Sequence, residues 1–119
     1  MKTSEMTMGR VYRLLISAIT PRPIAFVSTI SKAHVPNLAP FSFFNGISSN
    51  PPCIMVSITR NADGSKKDTL VNIEDTGSFV VNVVTHDIVE PMNWCSGNVR
   101  GSGMALVLFL AAAPVAHDR

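Results

Sequence analysis

The residues best suited to chemistry begin with an arginine between two prolines, followed a few positions on by two hydroxyls, in "TPRPIAFVST", residues 20–29. Proline fixes φ and pushes the residue before it out of the helical region, so Thr20-Pro21-Arg22-Pro23 reads as a stiff, extended lead-in. That lead-in holds Arg22 and feeds a strand carrying Ser28 and Thr29. A second constellation is "GSKKDT", residues 64–69. Lys66, Lys67, Asp68 and Thr69 stand there at an expected helix start, where open N–H groups and the positive end of the helix dipole favour an anion. Two readings stand side by side: a phosphate seat, or a capped helix with a solvated lysine pair. The segment is not a P-loop, because the required first glycine is absent. A third constellation is "NLAPFSFFNG", residues 37–46. A strand broken by Pro40 and carrying Ser42 and Asn45 leaves backbone groups open to the edge of a planar heterocycle, with Phe41, Phe43 and Phe44 as walls. The competing reading places the aromatics in the core and the polar residues in water.

Other chemistries find no support in the residues. His34, His86 and His117 have no metal-ligand spacing among themselves or with Cys53 and Cys95, so no metal site is expected. The two cysteines form neither a CxxC pair nor a disulfide framework, and Cys53, in an apolar run, is expected to be a buried core thiol. "GNVRGSG" has its glycines in the wrong order for a dinucleotide fingerprint. A serine nucleophile elbow and paired carboxylates are both missing, so no catalytic side chain is assigned, and chemistry here would come from a cofactor.

Composition narrows the class further. Hydrophobic residues make up 46% of 119, enough for one domain with one core. The formal charge is +2, and its ten Lys and Arg are scattered without a basic run interleaved with aromatics, which argues against a nucleic-acid partner. The start of the chain lacks the apolar region of a secretory signal. The apolar block "MALVLFLAAAPVA" is shorter than the ~20 residues that span a bilayer. The expectation is a cytoplasmic protein with no membrane association.

The elements that must position these residues are mostly strands. "VYRLLISAI" reads as one or two helical turns, "PIAFVSTIS" as a buried strand, and "NLAPFSFFNGI" as a second strand, at an edge or bulged because of Pro40. "CIMVSIT" is a third strand. "VNIEDTG" ends a short helix that starts near Lys67 or Asp68 and stops at Gly77. "SFVVNVV" is a fourth strand, and "HDIVEPMNW" begins a helical turn limited by Pro91. Closely spaced strands with turn residues between them favour a barrel or sandwich.

The motifs "YRLL", "ITPRPIAFVSTIS", "NLAPFSFFNGISSNPP", "KDTLVNI" and "TGSFVVNVV", in this order and spacing, resemble the flavin reductase-like proteins with the FMN-binding split-barrel fold. The resemblance runs from about Val11 to Trp94. It implies a mainly β Greek-key split β-barrel with short helices, a homodimer, and FMN near the subunit interface. It further implies that Ser28 and Thr29 bond to the cofactor, that Ala39, Pro40, Ser42, Phe43 and Asn45 contact the ring and ribityl chain, and that Lys67, Asp68 and Thr69 sit by the phosphate. Arg22 would lie at the cofactor rim, or else form a structural salt bridge. Two departures stand out. The hairpin turn is "KAHV" where relatives commonly have Asp-Gly, so Ala33-His34 must form another turn type or carry strain. The resemblance also stops near residue 95. Residues 1–95 then read as an incomplete split-barrel domain and 96–119 as an atypical tail, as in a truncated or frameshifted product. The tail is not expected to supply barrel strands.

The resemblance implies an oxidoreductase passing electrons from NADH or NADPH through FMN to a small-molecule or flavoprotein partner. Two alternatives remain: an FMN-carrying electron-transfer protein without nicotinamide oxidation, and a non-enzymatic remnant.

Overall fold

Both faces of one strand are buried, and the rest of the architecture follows from that. The computed structural model describes residues 3–97. In chain order these form α1 (Met8–Ala18), β1 (Ala25–Ile30), β2 (Pro36–Phe41), β3 (Phe44–Ser49), β4 (Pro52–Val56), α2 (Asp68–Thr76), β5 (Val80–Val83) and α3 (Val89–Trp94), with short 3-10 turns at Thr3–Glu5 and His86–Ile88. Among the described residues one sheet runs β2-β1-β5 and a second pairs β3 with β4. All pairings are antiparallel: Ala25 faces Phe41 and Ile30 faces Pro36 on one side of β1, while Ala25 faces Val83 and Ser28 faces Val80 on the other.

Side chains alternate along a strand, so this register sorts the sheet into two faces. Phe26, Ser28 and Ile30 share one face with Leu38 and Asn82. Ala25, Val27 and Thr29 share the opposite face with Asn37, Ala39, Phe41 and Val81. Phe26 and Leu38 pack with Cys95, Val84, Ile88 and Met92, which places α3 under the first face. Ala25, Val27 and Phe41 pack with Ala39, Phe44, Val56, Ile58 and Val81, which brings the β3–β4 hairpin against the second. "AFV" therefore carries no polar residue, because it has no solvent side. Burying a side chain the size of Phe26 or Val27 contributes about 1.5–3 kcal/mol each.

The β1–β2 turn takes the non-Asp-Gly form that its sequence requires. The His34 amide donates to the Ser31 carbonyl at 2.9 Å, the Ser31 amide donates to the Val35 carbonyl at 3.0 Å, and His34 takes φ 60. This is a longer loop with one residue in the left-handed region, and the Ser31 hydroxyl caps it by accepting from the Val35 amide at 3.1 Å.

Several expectations need correction. α1 is an 11-residue helix, longer than one or two turns. "NLAPFSFFNGI" is two strands in different sheets, because the chain leaves the ladder at Ser42-Phe43 just after Pro40. Cys53 is exposed on β4, and Cys95 is the buried thiol; the apolar run around Cys53 belongs to a hairpin of which one face lies on the core. Pro91 does not limit its helix. It is the third residue of α3, in the first turn, where a missing N–H breaks no helical bond. The tail from residue 98 onward, with His117 and the apolar block, lies outside the described residues.

Candidate functional site

The two hydroxyls of the "ST" pair point to opposite sides of the sheet, as adjacent strand residues must. Ser28 is half-buried on the α3 face, where its Oγ accepts a 3.3 Å hydrogen bond from Asn82 Nδ2. The same amide donates to the Phe26 carbonyl at 2.8 Å, so Asn82 is held from β1 itself. With a donor already on its oxygen, the Ser28 hydroxyl still has its own proton to donate. It opens into a cleft of about 250 Å³ lined by Ser28, Thr29, Ile30, Ser78, Phe79 and Val80.

Thr29 turns to the other face and is buried there among side chains from three elements. Its Oγ1 accepts from Asn72 Nδ2 of α2 at 3.0 Å and, more weakly, from Asn37 Nδ2 of β2 at 3.5 Å. Asn37 Nδ2 also donates to Thr69 Oγ1 at 2.8 Å. All four residues are buried. α2 forms where expected, from Asp68 to Thr76, and stops at Gly77 in the left-handed conformation with φ 68. Thr69 and Asn72, three residues apart, lie on one helix face and aim at the sheet.

The N-terminal turn of α2 carries the rest of the "KDT" segment. Lys67 is the half-buried N-cap residue, Asp68 is exposed at the first helical position, and no side chain caps the open N–H groups. Lys66 is drawn away by an ion pair with Glu74. Lys67 is thus the lysine left beside this helix start. Before it, the loop is fixed by Asp63, whose carboxylate accepts from the Ser65 amide at 2.9 Å and the Ser65 hydroxyl at 2.6 Å; these bonds hold its pKa below the ordinary value.

Arg22 meets a different group. Its guanidinium carbon lies 5.8 Å from the centroid of the Phe43 ring, and Tyr12 of α1 stacks edge-on against the same ring at 6.2 Å. Nη1 of Arg22 is buried and lacks a hydrogen-bond partner among the described residues. Ion pairs within the described residues join Lys32 to Asp75 and Lys66 to Glu74, and Arg22 takes no part in either. Ser42 is half-buried beside Phe43, Asn45 is exposed on β3, Ala39 packs in the second core, and Pro40 lies opposite Phe26.

The structure therefore joins Thr29 to Thr69, joins Arg22 to Phe43, and sets Ser28 apart on the far face. Sequence reasoning missed Asn72 and Asn82, and it left Asn37 unassigned within its segment. The available signals were polar residues at core-facing strand positions and the three-residue spacing of Thr69 and Asn72. The described residues hold no group of three or more His, Cys, Asp or Glu placed to bind a metal, and no helix among them is long and apolar enough to cross a membrane.

Comparison with known proteins places this geometry in a class. The flavin reductase like domain matches residues 17–109, and the chain belongs to that family. Its fold is the family's split barrel. The nitrilotriacetate monooxygenase component B from Bacillus cereus is 37% identical with a TM-score of 0.85, over 92% of this chain and 54% of that one. The 2-nitrobenzoate 2-nitroreductase of Pseudomonas fluorescens is 32% identical with a TM-score of 0.77, over 89% of this chain and 51% of that one. An uncharacterised protein of Halalkalibacterium halodurans is 55% identical over 69% of this chain and 39% of its own length. The chain thus spans about half or less of the length of each of these proteins.

The residues present suit a flavin. Arg22 offers a buried nitrogen without a hydrogen-bond partner beside Phe43, Ser28 a hydroxyl and Phe79 aromatic surface in the cleft at the end of β1, and α2 an uncapped N-terminus beside Lys67.

Proposed function

We propose that this chain holds FMN against β1, and that the protein is a flavin reductase-like oxidoreductase taking electrons from NADH or NADPH. The observation that carries the reading is Arg22 Nη1. A buried cationic donor without a partner is costly, and an acceptor-rich ligand beside Phe43 would relieve that cost. When bound, the flavin supplies the hydride and electron chemistry. The chain's own residues bind and orient it. Phe43, beside Arg22, would offer an apolar wall and Lys67 with the first turn of α2 would meet the phosphate, while Ser28 and Phe79 would contact the flavin from the cleft at the end of β1. Ser42, half-buried beside Phe43, and the exposed Asn45 would meet the ring and ribityl chain, with Ala39 and Pro40 in the strand behind them. No side chain is assigned as acid or base. Exposed apolar residues such as Ile47, Ile54 and Val83 support a second copy of the chain as the partner that closes the site.

The test is a visible absorbance spectrum after the chain is mixed with FMN and passed through a desalting column, followed by anaerobic addition of NADH or NADPH. A retained flavin band that bleaches supports the proposal. Loss of all FMN on the column sinks it. Retention without bleaching moves the reading to a flavin-carrying electron-transfer protein.

A further inference from the structure

Tyr12 opens the "YRLL" motif, and its ring meets the same phenylalanine that Arg22 meets. Tyr12 stands at 87° to Phe43 with 6.2 Å between ring centroids, and the Arg22 guanidinium carbon lies 5.8 Å from the Phe43 centroid. Phe43 is itself fixed to the body, because its carbonyl accepts from the Ser57 amide at 2.9 Å. Pro21 and Pro23 are exposed on either side of Arg22, so the lead-in runs along the surface and only the guanidinium end is enclosed, beside Phe43. α1 is held lightly by comparison. None of its residues is buried, Val11 and Ile16 are half-buried, and Met8 and Leu15 are 89% and 41% exposed. Neither ion pair among the described residues involves it. An element with so little apolar burial opens at low free energy, well before a strand buried on both faces. The helix ends at Ala18, and Ile19 turns extended just ahead of the proline-stiffened lead-in, which places a joint between a helix and a rigid anchor.

We propose that α1 is a hinged cover over Arg22, latched by Tyr12 on the Phe43 ring. Two effects of opposite sign meet at the latch. The ring pair and the cation–π contact favour the closed state. The closed state also denies water to Nη1, and a charged donor left without an acceptor favours opening. The two effects are of similar size, so open and closed states lie close in free energy. Opening lets the guanidinium hydrate and clears a path to it from solvent. Tyr12 is thus a positioning residue that acts on Arg22 through Phe43. The inference concerns the chain without any ligand and stands apart from the flavin reading.

The experiment follows hydrogen exchange at the α1 amides, among them Ile19, which donates to the Leu15 carbonyl at 3.0 Å, with the β1 amides as reference and no ligand present. An undocked helix of 11 residues is marginal in water, so each opening exposes its amides to exchange. Phenylglyoxal labelling, mapped by peptide mass, reads access to Arg22, with the exposed Arg13 as internal standard. In the unaltered chain α1 is expected to be protected about a hundredfold less than β1, and Arg22 to react more slowly than Arg13. In Tyr12→Ala, α1 exchange rises about fivefold further and Arg22 labelling climbs towards that of Arg13, while exchange at β1 stays unchanged. Tyr12→Phe, which keeps the ring, behaves as the unaltered chain. Equal protection of α1 and β1 in the unaltered chain overturns the proposal without any variant, since helix and sheet then open only together. Unchanged Arg22 labelling in Tyr12→Ala also overturns it, because the tyrosine then latches nothing over the arginine. Loss of β1 protection in Tyr12→Ala would mark Tyr12 as a support of the whole fold and overturn the hinged cover as well.

Discussion

At His34, φ is 60 without a glycine's freedom. An L-residue in the left-handed region is disfavoured by roughly 1–2 kcal/mol. His34→Gly should therefore raise stability by about 1 kcal/mol, less some entropy lost from the unfolded chain, read as a shift in urea midpoint at constant slope. A lower midpoint would mean that the imidazole makes a contact worth more than the strain. Here the sequence was legible: "KAHV" announced an unusual turn, though not which of its residues would take the strain. The cysteines were less legible, since an apolar run does not say which face of a hairpin is covered. Cys53 is exposed, whereas burial raises the Cys95 pKa. A raised pKa keeps Cys95 as a thiol to higher pH, and that preference is lost as pH rises through its folded value. At pH 8 a maleimide should label Cys53 first and Cys95 only under denaturant; equal rates in the native protein would contradict the burial.

Among elements, α2 was the most legible. Its start, length and glycine stop could be read from "KDTLVNIEDTG", because caps and periodicity are local properties. The division of "NLAPFSFFNGI" between β2 and β3 was not legible. Whether a proline bulges a strand or ends it depends on which strand lies beside it, and that is a long-range fact. The same holds for Asn37 and Asn72, polar residues whose partners lie far off in sequence. The glycine stop of α2 can be tested against a glycine elsewhere. Gly77 has φ 68, while Gly46 in β3 is outside the positive range, and an added Cβ meets nothing within 4 Å at either position. Space is thus equal and only backbone conformation differs. Gly77→Ala should cost about 1 kcal/mol. Gly46→Ala should be neutral or stabilise by about 0.4–1 kcal/mol through the unfolded chain. Equal effects in urea denaturation would show that the left-handed cap carries no special cost.

At the scale of the whole molecule, two cores share one strand. Phe26 faces Leu38, Cys95 and α3, while Ala25 and Val27 face Phe41 and the β3–β4 hairpin. Neither cluster is large, and β1 supplies one of the three buried residues of the first and two of the three of the second. If β1 leaves, both cores open, so the two should unfold together despite lying on opposite faces of the sheet. Trp94 is the chain's one tryptophan and sits at the end of α3. Trp94 is itself 52% exposed, but the helix it ends packs under Phe26 through Met92, so its fluorescence reports on whether that helix stays in place, and far-UV circular dichroism reports on the whole. Phe41→Leu removes volume from the opposite core and should cost about 1–2 kcal/mol. With β1 as a common wall, the Trp94 transition should shift to lower urea by the same amount as the circular dichroism transition, although Phe41 and α3 lie on different faces. A Trp94 midpoint that stays in place while the dichroism midpoint falls would show two separable units, with α3 and its core surviving the loss of the hairpin side.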